Sequence, residues 1–133
     1  MKATEKIQWG IIVVAAFVIE AALFAILIPV QILFGMQVFQ VAVPVAVVVI
    51  TFVLTMLFGR RIHAQFLIHG LLIGLIATLI YLGLLVLLRA VPTAIATYGL
   101  FMFVVINVSR IVAAMMGTVV EERRQLARNI GSV

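Results

Sequence analysis

The sequence predicts an all-α integral membrane protein, a four-transmembrane-helix bundle with both termini in the cytoplasm. Two observations lead to this fold class. Of the 133 residues, 67% are hydrophobic and only 10% are charged, whereas soluble domains carry about 25% charged residues. The apolar residues also fall into four long runs separated by short polar stretches. Because each bilayer crossing takes roughly 20 apolar residues, we expect a single membrane domain over residues 1–133.

The four helices are expected over about residues 10–34, 38–59, 65–88 and 94–120, followed by a short cytoplasmic tail over 121–133. The first run is too long for the apolar region of a signal peptide and lacks a cleavage site, so we expect it to be retained. Pro29 and Pro44 lie inside the first two runs. A proline inside a helix removes a hydrogen bond, so both helices are expected to bend there.

The positive charges predict the orientation. Arg89 is expected alone on one side of the membrane, and the other side is expected to carry Lys2, Lys6, Arg60, Arg61, Arg123, Arg124 and Arg128. Short loops rich in lysine and arginine remain in the cytoplasm, so both termini are expected to be cytoplasmic, in a bacterial-type inner membrane. This topology accounts for the net charge of +5. No basic cluster is long enough to track phosphates, so nucleic acid is not an expected partner.

Two ionisable residues, Glu20 and Arg110, lie inside apolar runs. A charge at mid-membrane costs a few kcal/mol, so such residues usually face the bundle interior and have a partner. Each lies about three helical turns, roughly 16 Å, inside the cytoplasmic border. We therefore expect an ion pair, with Asn107 able to share its hydrogen bonds. The pair could be structural, could serve proton-coupled transport, or could involve another subunit.

Small residues recur every three or four positions along one face of the third and fourth runs. Such stripes let helix backbones approach closely, and glycines four apart form the GxxxG pattern. The residues expected at helix contacts are Gly70, Gly74, Ala77, Gly99, Ala114 and Gly117. The stripe on the fourth run ends at Glu121, which with Glu122 is interpreted as a solvated charge run.

No metal, cofactor or catalytic site is expected. His63 and His69 are the only histidines, and their spacing does not place both on one helix face toward one metal or haem. The sequence contains no aspartate, so no Ser–His–Asp set can form around Ser109. It also contains no cysteine, which excludes thiolate-ligated clusters and disulfides.

A short chain with a glutamate in its first helix resembles the small multidrug resistance transporters, which are four-helix proteins working as dimers around that glutamate. The resemblance would imply exchange of substrate at Glu20. The sequence departs from that family after Glu20, where it reads Ala21-Ala22-Leu23-Phe24 in place of a small-residue and lysine pattern. Trp9 is the only tryptophan and lies outside the bundle. The chain is therefore not assigned to that family.

The function expected from these residues is that of a small non-enzymatic polytopic inner-membrane protein. The first hypothesis is an accessory or structural subunit that packs with itself or with a larger membrane complex. The second is a small dimeric transporter or channel that uses the intramembrane Glu20. The expected partners are the lipid bilayer and either further copies of the chain or other membrane subunits.

Overall fold

The computed structural model describes residues 6–132, and these residues form an all-helical structure. Its three helices are α1 (Trp9–Gly59), α2 (Phe66–Leu87) and α3 (Val91–Gly131). Each is long and apolar enough to cross a membrane. The prediction of four helices is wrong, because the first two apolar runs form the single helix α1. Lys2, one of the charges used to predict orientation, lies outside the described residues.

Helix α1 reverses its direction at one residue. The backbone of Gly35 is not helical, with φ 81° and ψ 178°. A straight helix of this length would extend roughly 75 Å, yet the two ends of α1 lie side by side. The side-chain amide of Gln8, just before α1, donates a hydrogen bond to the carbonyl of Arg61, just after it, over 3.3 Å. Helix α1 therefore consists of two adjacent limbs, an N-terminal limb (9–34) and a C-terminal limb (36–59).

Glycine explains why the reversal takes one residue rather than the three residues, 35–37, that lie between the first two predicted helices. A positive φ with an extended ψ is a backbone conformation essentially open to glycine alone. Pro29 and Pro44 both lie within α1, but the non-helical residue between them is Gly35. The sharp change of direction is therefore located at the glycine and at neither proline.

Helix α3 contains a second non-helical glycine. Gly99 has φ 75° and ψ 153°, and it divides α3 into a short segment (91–98) and a long segment (100–131). The helix starts at Val91, with Pro92 in its first turn, where the missing N–H costs nothing. It extends through nearly all of the tail expected after residue 120. The fourth predicted helix is therefore longer at both ends than its apolar run.

Both limbs of α1 pack with α2 and α3 around a common apolar core. The buried residues of this core are Ile12, Ala15, Ile19, Leu23, Val47, Ile73 and Ile106. Many other large apolar side chains are exposed, including Ile32 and Leu33 in α1. An exposed apolar surface of this kind is compatible with a lipid environment.

Three glycines allow the helices to approach closely. A Cβ atom at Gly74 would lie 2.7 Å from the Cα of Ile111, and one at Gly70 would lie 2.7 Å from the Cα of Met115. A Cβ atom at Gly117 would lie 2.6 Å from the carbonyl oxygen of Phe52. These distances are too short for any side chain, so the glycines fix the contacts of α3 with α2 and with the C-terminal limb of α1.

The other positions expected at helix contacts divide into two groups. Ala77 and Ala114 are fully buried. A Cβ atom at Gly99, by contrast, would meet nothing within 4 Å. Gly99 is therefore needed for its backbone conformation and does not serve as a contact between helices.

Candidate functional site

The structure brings Glu20 and Arg110 together in the bundle interior. Glu20 lies in the N-terminal limb of α1, and Arg110 lies in the long segment of α3. The Nη1 atom of Arg110 is 2.5 Å from the Oε1 atom of Glu20, and the side chains are only 2% and 4% exposed. A charged hydrogen bond of this length is among the stronger polar contacts in proteins. The pair therefore joins α1 to α3 far from the ends of either helix.

Helix α2 supplies two further contacts to Arg110. The same Nη1 atom donates a second hydrogen bond to the carbonyl oxygen of Ala77 over 3.3 Å. The guanidinium carbon lies 4.7 Å from the centre of the Tyr81 ring, a geometry in which the ring face attracts the positive charge. Arg110, itself in α3, therefore contacts both α1 and α2. Its buried Nε atom has no hydrogen-bond partner among the described residues.

Asn107 lies one helical turn from Arg110 but does not bind the pair. Its side-chain nitrogen donates to the carbonyl oxygen of Phe103 in its own helix over 2.8 Å. Its side-chain oxygen is buried and has no hydrogen-bond partner in the described part of the chain. The hydrogen-bond sharing expected from the sequence is thus absent from this structure, and Asn107 lies beside the charged site.

A cavity of about 320 Å³ ends on the Glu20–Arg110 pair. Most of its wall consists of apolar side chains from both limbs of α1, from α2 and from α3. The wall includes Leu23, Leu27, Val43, Val47 and Ile106. The cavity is therefore an apolar space with one charged end.

The two non-helical glycines border this cavity. Met36, next to Gly35, and Tyr98, next to Gly99, both line it. Exposed residues, among them Gln31, line the part of the cavity near the reversal of α1. The breaks in α1 and α3 therefore both lie next to residues of the cavity wall.

Sequence analysis did not identify Tyr98 as a site residue. Its hydroxyl is buried without a hydrogen-bond partner among the described residues, and its ring lines the cavity. A buried hydroxyl usually has a partner. The available signal was its position directly before Gly99, since polar residues beside a break in a transmembrane helix often face a cavity.

Glu121 also differs from its interpretation as part of a solvated charge run. It is completely buried, and neither carboxyl oxygen has a hydrogen-bond partner in residues 6–132. A Cβ atom at Gly59 would lie 3.1 Å from the Cβ of Glu121, so the end of α1 covers this side chain. The signal was present in the sequence, because Glu121 continues the small-residue stripe that includes Gly117.

The two histidines have different environments. His63 is exposed in the loop after α1, and His69 is buried in the first turn of α2. The backbone N–H of Gln8 donates to the Nε2 atom of His69 over 3.0 Å. The proton of the ring must then be on Nδ1, which lies 2.9 Å from the carbonyl oxygen of Gln65. His69 therefore connects the start of α2 to the start of α1.

No group of three potential metal ligands occurs among the described histidine, aspartate and glutamate side chains. A second, more open cavity of about 550 Å³ lies between α1 and α3, with Phe52 and Met116 in its wall. Its one hydroxyl, that of Ser109, donates to the carbonyl oxygen of Val105 in its own helix. The wall of this second cavity therefore contains no unpaired polar side chain that could orient a ligand.

No family model, curated protein or solved structure matches the chain. The residues of the cavity and of the buried pair therefore provide the basis for a functional proposal.

Proposed function

We propose that the protein is a non-enzymatic, multi-pass membrane protein that binds a small, largely apolar molecule inside its helical bundle. The observation that carries this proposal is the cavity of about 320 Å³ that ends on Glu20 and Arg110. Ligand sites usually have volumes of about 300–1,000 Å³, apolar walls and a few placed polar groups. An engineered apolar cavity of about 150 Å³ already holds benzene, so this one has room for a ring with a short chain.

The pairing of Glu20 supports binding rather than proton exchange. Its Oε1 atom accepts a hydrogen bond from Arg110, so this oxygen is already occupied by a partner within the bundle. Of the described residues that line the cavity, Glu20 is the only carboxylate, so no second acid is present to relay a proton. In this proposal the pair closes one end of the site and orients the ligand.

The proposal can be tested by gentle extraction of the protein, followed by native mass spectrometry to detect a bound small molecule. Ala94, in the short segment of α3, lines the cavity. Ala94→Phe should take up part of the cavity and so reduce or abolish the bound mass. Ala96→Phe is the matched control, because Ala96 is exposed in the same segment and does not line the cavity.

Two results would contradict the proposal. Wild-type protein without any bound small molecule, even when apolar compounds are supplied during purification, would remove its basis. The same bound mass in Ala94→Phe as in Ala96→Phe would place the ligand elsewhere on the protein.

We further propose an inner-membrane location with both termini in the cytoplasm. Three hydrogen-bonded contacts support one common side for the chain ends: Gln8 binds both Arg61 and His63, and Gln125 donates to the carbonyl oxygen of Gly59 over 3.3 Å. The same end carries most of the basic residues, and such ends remain cytoplasmic.

The orientation can be measured by labelling engineered cysteines, because the natural sequence contains none. In intact cells, a membrane-impermeant thiol reagent should label Leu88→Cys and should leave Ser132→Cys unlabelled. The opposite result would reverse the orientation. Association with itself or with a larger complex remains a prediction, which the size of the gently extracted particle would test.

A further inference from the structure

We propose that the ligand of the cavity is an uncharged molecule with an apolar body and one or two hydrogen-bond-accepting oxygens, such as the carbonyls of a quinone. This inference rests on the proposed binding function and adds the chemical class of the ligand. It follows from the charge balance of the site, from its unpaired donors and from its walls.

The charge balance excludes ionic ligands. Glu20 and Arg110 neutralise each other across 2.5 Å, and no other lysine, arginine, aspartate or glutamate among the described residues lines the cavity. A charged ligand would have to leave water without gaining a free counter-charge, or would have to separate the pair. Both routes are strongly unfavourable in an apolar interior. An uncharged ligand avoids both costs.

Two unpaired polar groups of the site can donate a hydrogen bond. The Nε–H group of Arg110 and the hydroxyl of Tyr98 are buried and lack partners in the described structure, and both residues line the cavity. Arg110 is 2% exposed, and a guanidinium group can only donate. A buried donor without an acceptor is costly, so an accepting oxygen on the ligand would satisfy what the protein leaves unpaired.

The rest of the cavity favours an apolar body. Leu23, Val47 and Ile106, all buried, contribute to its wall. The hydroxyl of Thr97, which also lines the cavity, already donates to the carbonyl oxygen of Thr93 over 2.8 Å. Donors are therefore restricted to a few points on an otherwise apolar surface, which matches a ring or chain with isolated carbonyl groups.

Four probes with the same ten-carbon chain can separate the ligand classes. They are decyl-benzoquinone, which is neutral with two acceptors; decylbenzene, which has none; decanoate, an anion; and decyltrimethylammonium, a cation. The thermal midpoint of the purified full-length protein is followed by far-UV circular dichroism while each probe is titrated in one detergent. A ligand that binds only the folded state raises this midpoint, and at a given concentration the rise increases with the logarithm of its affinity. We expect decyl-benzoquinone to give the largest rise.

Tyr98→Phe removes one donor and retains the ring. It should weaken the apparent affinity for decyl-benzoquinone roughly three- to tenfold, the effect of one hydrogen bond, and leave decylbenzene unchanged. The matched control is Ser109→Ala, which removes a hydroxyl from the same helix outside this cavity. If Tyr98→Phe does not fold, the order of the four probes on the wild-type protein still decides the ligand class.

The possible outcomes distinguish this inference from the proposed function. Equal effects of decyl-benzoquinone and decylbenzene would overturn the role of the donors but retain an apolar binding site. A preference for decanoate or decyltrimethylammonium would overturn the uncharged class. No rise with any probe would contradict the inference and the binding function together.

Discussion

Arg110 donates a hydrogen bond to Glu20 over 2.5 Å while its guanidinium group lies over the ring of Tyr81. One arginine side chain of α3 thereby contacts residues from both α1 and α2. A guanidinium group away from water needs an acceptor and a counter-charge; Glu20 of α1 provides both, and the carbonyl oxygen of Ala77 in α2 is a second acceptor. The position of the N-terminal limb of α1 against the other two helices therefore depends on a polar contact inside an apolar core.

Glu20→Gln should destabilise the protein by about 3–5 kcal/mol, because it leaves Arg110 buried without a counter-charge. The double variant Glu20→Leu, Arg110→Leu should be tolerated, because it removes both charges together. Denaturation of both variants in detergent, followed by far-UV circular dichroism, measures the difference. An unchanged stability of Glu20→Gln would show that the pair does not hold the helices together.

Gly74→Ala should lower the stability of the bundle by about 1–3 kcal/mol, the usual cost of overpacking. The added methyl would lie 2.7 Å from the Cα of Ile111, so α2 and α3 would have to separate. Gly83→Ala is the control in the same helix, because a Cβ atom there meets nothing within 4 Å. It should be neutral or stabilising by up to about 1 kcal/mol, as alanine favours helix. Equal effects of the two substitutions in a thermal melt would contradict the close contact.

Helix geometry explains why the pairing of Glu20 with Arg110 could be predicted from the sequence. Counting turns inward from the borders of the apolar runs assigned Glu20 and Arg110 to one depth, since every helical residue rises by about 1.5 Å. The two side chains lie within hydrogen-bond distance in the structure. The same counting could not show that the amide of Asn107 would bind its own helix instead.

The number of helices could not be obtained from hydropathy. The pattern around Gly35 indicated a turn between two helices, but a single residue with positive φ reverses α1 there. The cavity could not be predicted from the sequence either, because an empty volume depends on the distances between the helices near Gly35 and Gly99. The interpretation of Glu121 as solvated was wrong. It relied on the adjacent Glu122, although Glu121 also continues the stripe of small residues that the structure buries.

Glu121→Met should raise the free energy of unfolding by about 1–2 kcal/mol, because it removes a buried carboxyl group whose oxygens lack described partners. Methionine has a similar length and flexibility, so the packing against Gly59 can be retained. Glu122→Met is the control at a less buried neighbour and should change stability little. A clear loss of stability in Glu121→Met would indicate that the carboxyl group makes a contact within an assembly.

His69→Phe should destabilise the fold by about 1–3 kcal/mol, because the N–H of Gln8 and the carbonyl of Gln65 both lose the ring nitrogens that they contact. Phenylalanine keeps an aromatic ring at this position, and its larger size adds an overpacking cost to the loss of the hydrogen bonds. His63→Ala should have little effect, since that side chain is exposed and the contact with Gln8 uses its backbone N–H. Chemical denaturation of both variants under identical conditions provides the comparison.

The reversal of α1 makes the fold depend on the absence of an L-configured side chain at one residue, Gly35. The angles of Gly35, φ 81° and ψ 178°, are the mirror image of an extended conformation that every L-amino acid adopts readily. A chain assembled by chemical ligation should therefore accept D-alanine at Gly35 and resist L-alanine, although the two carry the same atoms. The side-by-side arrangement of the two limbs would then require glycine or a D-amino acid at position 35. The other nineteen ordinary residues, which are L-configured, would disfavour it.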